Sequence, residues 1–438
     1  MKLSKIVTIG FIIVLCGVFV KLMMSQTAKI ILFALFYGPI LQKFPEPTGP
    51  FAVGTTSYHL IDKGRTEKTG AARELIVQFW YPSDAKPNKK PIYPYMHDKI
   101  DEIIKIAKQD TSSYIPHFIW ERLLNVKTYA TPDAEISTTQ TNYPVLIFSH
   151  GAGTYRDQYS VFFEDLASHG YIVVSIDHTG LNGLTVFPDG RVIIPDVSEI
   201  MDPNISRTEI LAILNTSVQT CVQDIQFVMN QLSTINDNQN EKFYKKLDLD
   251  HLGVFGHSLG GMATVEACRV DQRIKAGVDI DGWIDFMTPK SVKKPFMCLL
   301  GEKSFLAEKI CAPSKERQQF MRMNTQEYID WQNNMQQSIN EFCQNNGKFG
   351  YQIIIKNAGH MAFNDMVLAK RSVVQFLNLE IGSVEPHNAI KVTNTYIRTF
   401  FDKYLKDIDI SNVKLCTLYP DDVIVKKCGN SPIKGDKI

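Results

Sequence analysis

Beyond residue 46 the chain falls into short, dense apolar runs separated by turn residues and by longer amphipathic stretches. "TSYHLID" and "RELIVQFWYP" are rich in β-branched and aromatic residues and predict two strands near the start. "PVLIFSH" and "YIVVSID" are almost wholly apolar, the pattern of strands buried on both faces of a parallel sheet. Between them "DQYSVFFEDLASHG" predicts a helix that stops at Gly170. Val218, Cys221, Val222, Ile225, Val228, Met229 and Leu232 recur at helical spacing and give one buried stripe. "IKAGVDID" and "PFMCLLG" are further short strands flanking a helix-poor gap, "YQIIIK" is the last strand, and "AIKVTNTYIRTFFDKYL" is the last helix. Strands alternating with helices in this order predict one α/β domain around a mainly parallel sheet.

Two stretches stand outside that alternation: "HDKIDEIIKIAKQDTSSYIPHFIWERLL" and "SKERQQFMRMNTQEYIDWQNNMQQSINEFCQ". Both have helical spacing and polar faces. As insertions at strand ends they either cover a pocket or pack as solvated helices on the domain edge.

The N-terminus has a different character. Lys2 and Lys5 precede the apolar run Ile6–Val20, the pattern of an export signal, with no small-residue cleavage site after it. Counted through Met24, the stretch is long enough to span a bilayer if Lys21 snorkels. A second apolar segment, "KIILFALFYGPILQKF", is too short for a span and reads equally as an interfacial segment or a packed helix. The expected division is therefore a signal or anchor over 1–45, a catalytic domain over 46–410 and a tail over 411–438. The charge pattern places the body of the protein outside the cytoplasm, exported and either membrane-anchored or secreted.

Composition narrows the class. The chain has 438 residues, 47 Lys plus Arg against 46 Asp plus Glu, and no basic run, so nothing points to nucleic acid. The eight cysteines form no paired CxxC motifs, so no zinc site is expected. Cys221, Cys268 and Cys298 fall on apolar faces and read as small buried hydrophobes. Cys416 and Cys428 bracket a short tail and read either as a bridge in an exported protein or as free thiols.

The chemistry concentrates at "GHSLGG". Gly256-His257-Ser258-Leu259-Gly260 fits the strand-to-helix elbow G-x-S-x-G, and it lies between the strand "HLGVF" and the helical "GMATVEAC". A serine hydroxyl needs a general base and a group to orient that base. In this architecture the order along the chain is serine, acid, histidine. Only His360 and His387 follow Ser258; His360, in "NAGHMAF" after the strand "YQIIIK", is the candidate base, and His387 reads as surface. Asp281, ending "AGVDID", and Glu302, ending "CLLGE", both stand at strand ends from which an imidazole is reachable. Asp279 lies close by.

An oxyanion needs backbone N–H donors. Leu259 supplies one, and the glycine-rich "FSHGAG" loop supplies the other, with Ala152 the candidate. His150 in that loop is assigned to holding the loop in place.

Taken together, "FSHGAGTYRDQYSVFFEDLASHGYIVVSIDH", "GHSLGGMATVEACRVDQRIKAGVDIDGW" and "HMAFND" resemble the plasma and intracellular type II platelet-activating factor acetylhydrolase family of α/β-hydrolases, with "GPFAVGT" and "FWYPSD" adding to the likeness over most of residues 47–405. The resemblance implies an α/β-hydrolase fold: a mainly parallel sheet, helices on both faces, and helical insertions near the active site. It maps the orienting acid to Asp281 rather than Glu302, and the oxyanion amides to Ala152 and Leu259. It implies a serine esterase acting on the short or oxidised sn-2 acyl ester of a phospholipid, with no cofactor or metal; the N-terminal apolar segment adds a membrane surface as the expected partner. Two other readings share these motifs: a broad carboxylesterase or polyester hydrolase, and a catalytically inactive lipid-binding protein of the same fold.

Overall fold

The computed structural model describes residues 39–67, 69–86, 125–202, 204–284, 291–305, 322–376, 379–406 and 418–428, with a few isolated residues between 93 and 105 and at 408. The apolar runs of residues 1–38, most of the first insertion and Cys416 lie outside these. Among the described residues no helix is long and apolar enough to cross a membrane. The chain divides into two compact units, one of residues 1–43 with 94–127 and one of residues 44–93 with 128–438. The second holds all of the elements below.

Ten strands form its sheet: β1 (Ala52–Thr66), β2 (Ala72–Ser83), β3 (Thr131–Pro132), β4 (Tyr143–Ser149), β5 (Ile172–Asp177), β6 (Leu247–His257), β7 (Ile274–Ile280), β8 (Phe296–Gly301), β9 (Gly350–Ile355) and β10 (Val423–Cys428). Their spatial order is β10-β9-β8-β7-β6-β4-β5-β2-β1-β3. The six strands from β9 to β5 are parallel, while β2 runs against both β5 and β1, and β10 runs against β9. Residues 423–428, grouped with the tail in the sequence reading, thus close one edge of the sheet. Their "VIVKKC" is too short and too charged to announce a strand alone, and backbone pairing with β9 supplies the rest.

Helices cover both faces, α1 (Ser160–Ser168), α2 (Arg207–Asp237), α3 (Leu259–Val270), α4 (Thr325–Asn345) and α5 (Pro386–Leu405). On one face Val145, Ile147 and Val254 meet Val222, Ile225 and Met229 of α2 and Met262 and Val265 of α3. On the other, Phe148 and Phe255 pack edge-on against Phe163 of α1, and Phe255 against Phe401 of α5. Side chains of one strand alternate between the two layers, which is why the parallel strands read as continuous apolar runs. Both long polar helices start on a reciprocal cap, Ser206 with Glu209 for α2 and Asn324 with Glu327 for α4.

Register decides where chemistry is possible. Gly256 pairs with Ser149, His257 with Ile280, and Gly301 with Ile355, so the carboxyl ends of β4, β6, β7, β8 and β9 finish along one edge. Loops leaving this edge are where open α/β sheets carry their ligands.

Candidate active site

Ser258 sits at the junction of β6 and α3 with φ of 55° and ψ of −118°, a left-handed backbone that a residue with a Cβ adopts only under constraint. Its own N–H donates to Ile280 O at 2.9 Å, which ties the turn to β7. The tightness explains the glycines: a Cβ on Gly260 would lie 1.9 Å from Ser149 O. The turn raises the serine out of the helix and leaves it partly exposed.

His360 opens a short 3-10 turn, His360–Phe363, after β9. Its Nε2 is 3.0 Å from Ser258 Oγ and its Nδ1 is 2.6 Å from Asp281 Oδ2. Asp281 follows β7 and also has a left-handed backbone, φ 53°. Gly301 N–H and Ser304 Oγ each donate to Asp281 Oδ1 at 2.8 Å. Burial disfavours its charge, but the hydrogen bonds from His360, Gly301 and Ser304 outweigh burial and hold the carboxyl below its usual range. The acid is therefore ionised and oriented before any substrate arrives.

The two other carboxylates considered from the sequence do different work. Glu302 turns away to accept Asn357 N–H at 2.7 Å. Asp279 is fully buried; one oxygen accepts Gly282 N–H at 2.9 Å and the other has no hydrogen-bond partner among the described residues. Burial, with Asp281 nearby, pushes its pKa up to about 8 despite that hydrogen bond. His387 stands exposed at the start of α5 beside Glu385.

The "HGAG" loop runs against the elbow: a Cβ on Gly151 would lie 3.3 Å from Ser258 Cβ. Ala152 is exposed on this loop, while Leu259 is buried at the first turn of α3, where N–H groups have no partner within the helix. Thr154 Oγ1 donates to Gly151 O at 2.7 Å and Gly153 N–H to Leu181 O at 3.0 Å, which fixes the loop's path. His150 bonds Gly151 O through Nδ1 at 2.8 Å and accepts His178 N–H on Nε2 at 3.1 Å. Beneath it lies a second Ser–His–Asp arrangement: Ser149 Oγ is 2.8 Å from His178 Nε2, and His178 Nδ1 is 2.9 Å from Asp224 Oδ2. All three side chains are 0% exposed, so this arrangement cannot meet a substrate and acts as a support for the loop. Arg73 binds Asp224 through both ends of its guanidinium fork, at 2.6 and 2.5 Å.

Of the two insertions, the second contributes α4, whose apolar side buries Tyr328, Trp331, Met335, Ile339 and Phe342. Trp331 packs edge-on to Trp283, and Trp283 lies 6.4 Å from the His360 ring, so this insertion reaches the site. Cys221, Cys268, Cys298 and Cys343 are buried thiols. Ser304, Tyr159 and Asp365 also hold the site together, and sequence reading passed over all three. "YRDQYS" and "HMAFND" stood out in the sequence, but nothing in either string says which side chains meet.

Sheet order, elbow and helix layers together define an α/β-hydrolase. The chain matches the family model for platelet-activating factor acetylhydrolase, isoform II, over residues 40–415, and it belongs to that family. It is 24% identical to platelet-activating factor acetylhydrolase of Canis lupus familiaris over 296 residues, covering 62% of this chain and 60% of that protein. With the Cavia porcellus protein of the same name it shares 24% over 376 residues, 82% of this chain and 78% of that one. A probable 1-alkyl-2-acetylglycerophosphocholine esterase of Arthroderma benhamiae is 26% identical over 245 residues, 54% of this chain and 58% of that protein. The chain thus spans about three-fifths of the dog and fungal relatives, from the coverages of 60% and 58%. Among solved structures, a ferulic acid esterase from Streptomyces cinnamoneus shares the fold, with a TM-score of 0.63 at 23% identity over 88% of this chain and 99% of that one.

Proposed function

We propose that the protein is a serine esterase that cleaves the short or oxidised sn-2 acyl ester of a glycerophospholipid, with Ser258, His360 and Asp281 as its triad. The observation that carries this is the unbroken contact from Asp281 Oδ2 through His360 to Ser258 Oγ, at 2.6 and 3.0 Å, above a strained elbow. Family membership supports the substrate class.

In this reading Ser258 Oγ attacks the ester carbonyl carbon while His360 Nε2 takes the hydroxyl proton. The carbonyl oxygen becomes an oxyanion facing the N–H groups of Ala152 and Leu259. Asp281 holds Nδ1–H and balances the imidazolium charge. His360 then gives the proton to the departing lysophospholipid oxygen, and the acyl group stays on Ser258. Water, deprotonated by His360, attacks the acyl-enzyme, and His360 returns that proton to Ser258 Oγ as the carboxylic acid leaves. The apolar run Ile6–Val20, outside the described residues, supports an exported enzyme held at or near a membrane.

Two assays test the proposal. Ser258→Ala is expected to abolish turnover of a short-chain ester and labelling by a fluorophosphonate; surviving activity in the variant would remove Ser258 as nucleophile. On defined phospholipids, hydrolysis is expected to fall with sn-2 chain length and to require the phospholipid headgroup. Indifference to the headgroup would support a broad carboxylesterase. A folded wild-type protein that takes no label would support lipid binding without catalysis.

A further inference from the structure

His257, within the elbow, is fully buried yet bonded at both ring nitrogens. Its Nε2 lies 3.0 Å from the backbone carbonyl of His360 and its Nδ1 lies 2.9 Å from the phenol oxygen of Tyr159. The same phenol oxygen accepts the N–H of Gly151 at 3.2 Å.

The direction of every bond in this chain is fixed by its ends. A carbonyl only accepts, so the proton of neutral His257 is on Nε2 and Nδ1 carries a lone pair. Burial, reinforced by His360, pushes the His257 pKa down to about 3, so the ring is neutral throughout the working range. Thr154 spends its proton on Gly151 O at 2.7 Å, although it also lies 3.1 Å from the phenol. Tyr159 O–H therefore donates to Nδ1, since otherwise that buried nitrogen would be left unpaired, at a cost of about 1–3 kcal/mol. The sequence of bonds runs Gly151 N–H to Tyr159, Tyr159 O–H to His257, and His257 Nε2–H to His360 C=O. One end is the residue before the candidate oxyanion donor Ala152; the other is the backbone of the candidate base. Tyr159 and His257 are both buried, and their rings are 5.7 Å apart with Phe148 packed on the phenol. Neither ring has room to swing.

We infer that Tyr159 and His257 are positioning residues, a hydrogen-bonded strut that sets the spacing between the oxyanion loop and the general base so that both meet one tetrahedral intermediate. This rests on the proposed triad and goes beyond it: the His257 ring lies 4.6 Å from the His360 ring, and neither Tyr159 nor His257 supplies a group to the reaction.

The test uses the full chain with Tyr159→Phe, His257→Gln and the double variant. The glutamine side chain puts its amide nitrogen where Nε2 stood, within reach of the His360 carbonyl, and leaves no acceptor at the Nδ1 position for Tyr159. Either single change therefore cuts the same link. Each variant is assayed on a soluble short-chain ester. Each is also titrated with a trifluoromethyl ketone, which forms a tetrahedral adduct, and with the non-hydrolysable ether analogue of the substrate. The expected result is a fall in kcat/KM of about 10–100-fold, below the loss from deleting an oxyanion donor outright. Affinity for the ketone should fall by the same factor and affinity for the ether by less than about 2-fold, with the double variant no worse than the singles. The inference is overturned if kcat/KM stays at the wild-type value, if ketone and ether weaken equally, or if the two losses multiply. If Tyr159→Phe does not fold, His257→Gln alone decides by its ketone-to-ether ratio. An inactive, unlabelled wild type would instead sink the triad itself.

Discussion

The carboxylate of Asp365 accepts the backbone N–H of Ser160 at 2.9 Å and that of Val161 at 3.1 Å, so the segment that carries His360 also caps the start of α1. In return Asp365 N–H donates to Gln158 O at 2.8 Å. The turn bearing the candidate base is thereby clamped to the segment that follows the candidate oxyanion loop.

Removing that clamp should cost both stability and activity. Asp365→Ala leaves buried N–H groups at the helix start without acceptors and is expected to lose about 1–3 kcal/mol. Asp365→Asn keeps one accepting oxygen and should lose less. Urea denaturation midpoints of the two variants check the order; equal midpoints would mean that the capping bonds are idle.

The two carboxylates at the ends of β7 and β8 should separate sharply. Asp281→Asn disrupts the bond that fixes the imidazole and is expected to lower kcat on the order of 10³–10⁴-fold. Glu302→Gln retains an oxygen for Asn357 N–H and should stay within about 3-fold of wild type, because Glu302 does not contact the imidazole. Steady-state kinetics on a short-chain ester read both, and a severe loss in Glu302→Gln would reassign the acid.

Asp279 makes a pH-dependent contribution whose sign follows from linkage. Its folded pKa of about 8 lies above the unfolded value, so the folded state holds a proton that the unfolded state has already released at neutral pH. This contribution is fully present below the unfolded carboxylate range and is lost progressively as pH rises to about 8. Asp279→Asn, neutral at every pH, should remove that slope. Melting temperatures of wild type and variant measured from pH 4 to 9 are expected to diverge in the variant's favour as pH rises, levelling off above about 8; parallel curves would contradict a protonated Asp279.

The Asp224 network is expected to be costly to break. Burial opposes its charge, but Arg73 and His178 hold the carboxyl ionised, and Arg73 is 5% exposed. Asp224→Ala removes the two hydrogen bonds to Arg73 Nε and Nη2, leaving this buried guanidinium with Glu67 and Thr179 O on Nη1 alone, and should lose about 3–5 kcal/mol. A denaturant midpoint near the wild-type value would show that Glu67, already bound to Arg73, and water suffice without Asp224.

Much of the architecture was legible in the sequence because its signals are local. The parallel strands announce themselves as unbroken apolar runs, since residues facing opposite layers are both buried. The elbow is legible because only glycine tolerates the contact Gly260 makes with Ser149 O. The edge strand β10 was not, for its pairing comes from β9 and not from its own residues. The role of α4 was left open because its polar face says only that it is a surface helix. Trp331 meeting Trp283 beside His360 is a fact of packing.

What the amino-acid order determined by itself is the list of parts: a serine on a sharp turn, a histidine after the last parallel strand, two acids at strand ends, and a glycine loop. The family resemblance already pointed to Asp281 over Glu302; the physical reason for that preference belongs to the tertiary structure. Asp281 and Glu302 end neighbouring strands in similar sequence contexts, and only strand order and the twist of the chain after each strand bring one carboxylate to His360 and turn the other toward Asn357. The strut through Tyr159 and His257 is likewise invisible along the chain. Its members come from β6, the start of α1 and the turn after β9, and they meet only once the sheet edge has assembled.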